Sequence, residues 1–294
     1  MAKNKKLPPE ELDARLLLAL RRGSSKCAEL LIGKGADMSR QTFCAPPNPG
    51  PGQGFLSRPF RHGGLGWARE PLCPMLAAAN VRSSECCSLA WRLAGPEMQK
   101  RNFFYALWIY SRFGLSLGRD GVISEIIADS SRLRINPETA RQELEAALEK
   151  SQWECAAALL SLVDPNAPLG RHPSALFAFS EAPIPGWLPT GIIDRFLGLC
   201  DPAQLDPAGD TLLMATARKG SQHFLQELLS RKLGGSLLGI SHDGLDIFSL
   251  ASANSNMRPQ FLASLAEAFA LAESREIFAA APEAPARGRR SPVL

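Results

Sequence analysis

The residues best suited to acid–base, nucleophilic or metal chemistry are four histidines and seven cysteines, and their spacing argues against all three. His62, His172, His223 and His242 stand far apart, with no pair at the spacing of a helical zinc motif. Ser241, His242 and Asp243 are consecutive, but a triad needs groups that converge in space, and chain neighbours are not expected to point together. They read as the turn entering the last helical unit, and His223 as a surface residue opening a helix. No C-x-x-C pair occurs, so a structural zinc is not expected. Cys86 and Cys87 are neighbours on a helix, about 100° apart around its axis. Gly63-Gly64-Leu65-Gly66 follows no apolar strand, and no Gly-Lys-Ser/Thr marks a phosphate loop. Glu143 and Glu145 do not share a helix face and read as solvated. The expectation is a chain with no catalytic residue, no metal and no cofactor, hence not an enzyme.

A different chemistry is on offer at residues 38–69. This stretch holds no Asp or Glu but carries Arg40, Arg58, Arg61 and Arg69, interleaved with Phe55, Phe60 and Trp67. Phe55, Arg58, Phe60, Arg61 and Trp67 are the candidate partner-binding residues, because cations beside aromatics suit an acidic or aromatic-accepting partner. The competing reading folds the aromatics back onto the body of the protein. The segment 42–71 is rich in Pro and Gly, which exclude a helix or a central strand, and reads as an inserted loop.

The elements that would position such an arm follow from composition and periodicity. The 294 residues are 45% hydrophobic, enough for a substantial core in one or two domains. The net charge of +4 is too mild to argue for nucleic acid by itself. No secretory signal is expected at the basic, then proline-rich start, and no apolar run approaches the ~20 residues of a membrane span. The odd, unevenly spaced cysteines point to a reducing cytoplasm.

Four segments then align with one another. Residues 19–37, 78–95, 147–166 and 216–232 each carry the end of one helix, a short turn and a second amphipathic helix. Cys27, Cys86, Cys155 and Phe224 fall at one position of that second helix, in steps of 59, 69 and 69 residues. Two helical-hairpin units of roughly 33 residues nearly fill a step of 69, so a further unit is expected inside each long gap. Its second helix would lie at 121–129 and at 191–199. A last unit is expected at 243–270, giving about seven units. The units at 102–129 and 173–199 are irregular, the first through a bulky first helix and the second through an inserted turn at 181–189. Ala19, Ala78 and Ala147 are small where first helices approach. Gly23 and Gly220 suit a left-handed turn, and Gly35 a helix end. Cys27 and Cys155 are expected to be protected by packing, and Cys44 to be an exposed thiol.

The run from Gly209 through Thr211, Leu212, Leu213 and Met214 to Gly220, with Lys34-Gly35-Ala36-Asp37, resembles the ankyrin-repeat family. The family's proline and histidine are missing: its His positions hold Leu17, Leu76, Phe177, Met214 and Ser249. The resemblance implies an all-α, ankyrin-like helical-hairpin solenoid over 13–278, interrupted by the loop at 42–71. Residues 1–12 would form an N-terminal extension and 279–294 a disordered basic tail. It further implies a monomeric, non-catalytic scaffold that binds another protein through turn tips and first helices, with no membrane role. The Ala-, Arg- and Pro-rich usage resembles chains from GC-rich bacterial or viral genomes, where such proteins act as effectors delivered into a host cell or as inhibitors of a target. The alternative is a nucleic-acid-associated protein using the acid-free arm and the basic tail.

Overall fold

The computed structural model describes residues 7–37, 78–79, 82–112, 121–182, 188 and 190–280. These residues are mostly helical, with two isolated β-bridges and no strand among them. The chain divides into two compact units, one holding 1–182 and 188–200 and the other 183–187 and 201–294.

The first unit contains α1 (Pro9–Arg21), α2 (Ser25–Gly33), α3 (Ser84–Leu93), α4 (Gly95–Arg112) and α5 (Val122–Ala128). It continues with α6 (Ser130–Leu133), α7 (Pro137–Glu149), α8 (Trp153–Leu159), α9 (Ala175–Glu181) and α10 (Thr190–Leu199). The first helix begins inside the segment read as an extension. Pro9 needs no N–H in the first turn, Glu10 and Glu11 suit the positive helix end, and Leu12 is already buried. α7 starts the same way, with Pro137 behind the cap Asn136, whose Oδ1 accepts the Glu138 N–H at 3.0 Å.

The expected turn recurs with its register intact. Gly23, Arg82, Ser151 and Gly220 all adopt left-handed backbone, with φ of +69°, +53°, +56° and +79°. They are spaced by the same 59, 69 and 69 residues as the second-helix position. The hydrogen bonds repeat as well. Gly23 N–H donates to Leu20 O and Ser24 N–H to Ala19 O, as Ser151 and Gln152 do to Leu148 and Ala147, and Gly220 and Ser221 to Ala217 and Thr216. This pairing ends one helix and starts its antiparallel neighbour. Arg82 and Ser151 hold without a glycine a conformation that costs an L-residue roughly 1–2 kcal/mol. Ser151→Gly is therefore expected to raise stability by about 1 kcal/mol. The urea midpoint should rise with an unchanged slope.

Within the first unit the second helices pack in chain order: α2 on α3, α3 on α5, α5 on α8 and α8 on α10. Polar rungs join several of these steps. Ser25 Oγ donates to Glu85 at 2.9 Å, Ser88 Oγ to Glu125, and Arg195 to the Ala157 carbonyl at 2.7 Å. α4, the bulky helix at 95–112, is buried on all sides from Tyr105 to Tyr110, as a helix apolar around its whole circumference must be. Phe179 stacks on Phe196 at 4.2 Å, tying α9 to α10.

Two expectations change. Cys86 and Cys155 are buried, but Cys27 is exposed. α3 and α8 are flanked by second helices on both sides, whereas among the described residues α2 packs on its own first helix α1 and on one second helix, α3, so the same helix position faces a neighbour in one case and solvent in the other. A thiol reagent should modify Cys27 in the native protein and reach Cys86 and Cys155 only on unfolding, as mass spectrometry of labelled peptides would report. Glu143, read as solvated, is 1% exposed, because it shares the inward stripe of α7 with Ala140, Leu144 and Ala147. Cys44, in the inserted loop, lies outside the described residues.

The second unit contains α11 (Leu212–Lys219), α12 (Gln222–Arg231), α13 (Ile247–Ser252) and α14 (Pro259–Ala280). α11 packs on α12 and α13, and α13 on α14, so two helical hairpins are joined through their first helices. α14 continues two residues beyond Phe278, into the segment read as tail.

Candidate functional site

The second unit repeats one turn twice, 35 residues apart. Gly209 N–H donates to Asp206 O, and Asp206 N–H to Asp210 O; Gly244 N–H donates to Ser241 O, and Ser241 N–H to Leu245 O. Gly209 and Gly244 carry φ of +89° and +76°, which glycine reaches without strain. The side chain at the first turn position braces each loop: Asp206 Oδ1 accepts the N–H of Ala208 and Asp210, and Ser241 Oγ that of Leu245. Each turn then feeds a capped helix. Thr211 Oγ1 accepts the Met214 N–H, and Asp246 Oδ1 the Ser249 N–H. Met214 Sδ in turn accepts the Thr211 N–H at 3.4 Å, so the cap is reciprocal.

The two turns are clamped together by charge. Asp210 is fully buried, and its Oδ1 accepts the His242 N–H at 2.7 Å. Its Oδ2 faces His242 Nδ1 at 2.7 Å and Arg218 at 2.8 Å. Asp243 closes the ring, at 2.8 Å from His242 Nε2 and 3.0 Å from Arg218. Burial pushes the Asp210 carboxyl up, but the hydrogen bonds from His242 and Arg218 outweigh it and hold the group below its ordinary value. Neighbours along the chain do meet here, contrary to expectation, because Asp210 and Arg218 pin the imidazole between two carboxylates. Both ring nitrogens face carboxylate oxygens and the Ser241 hydroxyl braces its own turn, so the geometry is a clamp and not a nucleophile–base pair.

The clamp leaves apolar side chains outside. Leu205 and Ile240 occupy equivalent positions one residue before each turn and are 52% and 62% exposed; Leu245 at the second tip is 42% exposed. This surface gave no signal at the level of motifs. Its signal was the paired G-x-T and G-x-D turn openings 35 residues apart, each with an aliphatic residue four positions before the glycine.

Cys87, Cys155 and Cys200 are not poised as nucleophiles. Burial pushes the thiols of Cys87 and Cys200 up to about 12, and Cys155 higher still with Glu143 adding to burial. Among the described residues no three His, Cys, Asp or Glu converge on a metal position, and no helix is long and apolar enough to cross a membrane. Phe55, Arg58, Phe60, Arg61 and Trp67 lie outside the described residues. No protein-family model matches the chain, and no curated protein matches it.

Proposed function

We propose that this chain is a divergent ankyrin-like repeat protein that binds and modulates another protein without catalysis. The recurring left-handed turn in register and the ordered packing of successive second helices support the repeat architecture. The observation that carries the binding reading is the pair of equivalent, clamped turns bearing exposed Leu205 and Ile240. Apolar side chains on a rigid backbone lose little freedom on contact, which favours their use as anchors. An effector or inhibitor acting in a cytoplasm fits this surface, as does a contribution from the arm residues Phe55, Arg58, Phe60, Arg61 and Trp67.

The test is a quantitative pull-down with three baits, followed by titration of the partner recovered. The baits are wild type, Leu205→Ser with Ile240→Ser, and Arg61→Ala with Trp67→Ala. A partner bound through the turns should lose about 1–2 kcal/mol of affinity per serine substitution, with an unchanged thermal melt. Retention of every wild-type partner by the serine bait rejects the turn surface, and loss with the arm bait alone moves the contact to residues 55–67.

A further inference from the structure

In the second unit a groove of about 540 Å³ runs between α12 and α14, the second helices of the two last hairpins. It uses none of the side chains of the turn surface. Its floor is apolar, made by Leu229, Phe261 and Leu265. Its rim is polar and carries Gln222 and Gln226 from α12, Gln260 from α14, and Arg258 just ahead of α14. Gln222 Oε1 accepts the backbone N–H of Arg258 at 3.1 Å, which anchors the start of α14 to α12. The Arg258 guanidinium enters no ion pair among the described residues, and Arg258, Gln226 and Gln260 are exposed. No Asp or Glu lines the groove, and Glu227 on α12 is paired with Arg231 at 2.9 Å.

We propose that this groove binds an extended peptide segment of a partner that places carboxylates next to apolar side chains. An unpaired guanidinium offers a fork of donors shaped for a carboxylate. The carboxamides of Gln226 and Gln260 donate and accept at once, which matches the alternating N–H and C=O of a peptide backbone. An apolar floor takes the side chains that an extended segment turns to one face. A fatty acid would satisfy Arg258 and the floor but leave the carboxamides idle, so the peptide is the occupant that uses every group. The site is separate from the turn surface and stands whether or not that surface binds.

The test uses the full chain and three fluorescein-labelled octapeptides: alternating Asp/Leu, alternating Lys/Leu and alternating Asp/Ser. By fluorescence anisotropy the Asp/Leu peptide should bind about tenfold or more tighter than either control. Arg258→Glu should weaken it by about tenfold or more, and Gln226→Ala with Gln260→Ala by about threefold. Ile240→Ser should leave it unchanged. If Arg258→Glu alters the thermal melt, the glutamine pair, whose side chains are exposed, decides. Equal binding of Asp/Ser and Asp/Leu, wild-type affinity in the rim variants, or loss on Ile240→Ser would each overturn the proposal.

Discussion

Trp91→Ala should lower stability by about 3–5 kcal/mol, the range for removing a large buried aromatic. Trp91 on α3 is fully buried and meets Phe103 of α4 edge-on, with ring centroids 6.3 Å apart. Its Nε1–H donates to Asp129 Oδ2 at 2.8 Å, just beyond α5, and its carbonyl accepts from Gln99 at 2.9 Å. One side chain therefore couples three helices. Truncation opens a cavity and also strips Asp129 of a donor. Trp91→Phe helps to separate the two effects, because it loses the same N–H but keeps one aromatic ring and so opens a smaller cavity; it should cost about 2–3 kcal/mol. Urea unfolding of the three proteins measures both quantities. A Trp91→Ala cost below that of the phenylalanine variant would mean that α4 and α5 collapse into the space.

Asp210→Ala should cost about 2–3 kcal/mol, because the buried carboxylate holds the turn at 241–245 through the Arg218 guanidinium, the His242 ring and the His242 backbone N–H. His242 and Arg218 are partly exposed and can rehydrate, which keeps the loss below that of a fully buried pair. The pH dependence has a definite sign. Since the folded-state value of Asp210 is depressed, its contribution is complete above the ordinary aspartate value of 3.8 and is lost as pH falls through the lower, folded value. The stability gap between wild type and Asp210→Ala should therefore close on acidification below that range. A gap that persists at the acid end would show that the carboxylate's charge is not what clamps the turns. The same variant should weaken any partner held by Leu205 and Ile240, by loosening the second tip.

How much was legible in the sequence can be judged residue by residue. The helix pairs, their register and the left-handed turns at Gly23 and Gly220 were readable, because they depend on residues within one or two turns of each other. A glycine at 23 and 220 and an apolar stripe at 3.6-residue spacing act locally, whereas the same left-handed backbone at Arg82 and Ser151, where no glycine marks the turn, and the cap at Thr211 emerged only in the structure. The all-helical class followed from the same short-range signals.

Burial and partnership at equivalent positions were decided only by tertiary packing. Cys27 and Cys155 occupy one repeat position, yet one is exposed and the other buried, since that outcome depends on whether a second helix packs on both sides. Glu143 looked solvated by residue type and is buried by the stripe it shares. His242 finds Asp210 32 residues earlier in the chain, and no local rule pairs them. The groove between α12 and α14 likewise joins rim and floor residues from both helices. Local propensity sets where a helix starts and stops within a few residues, whereas burial, charge pairing and clefts are properties of which distant surfaces meet.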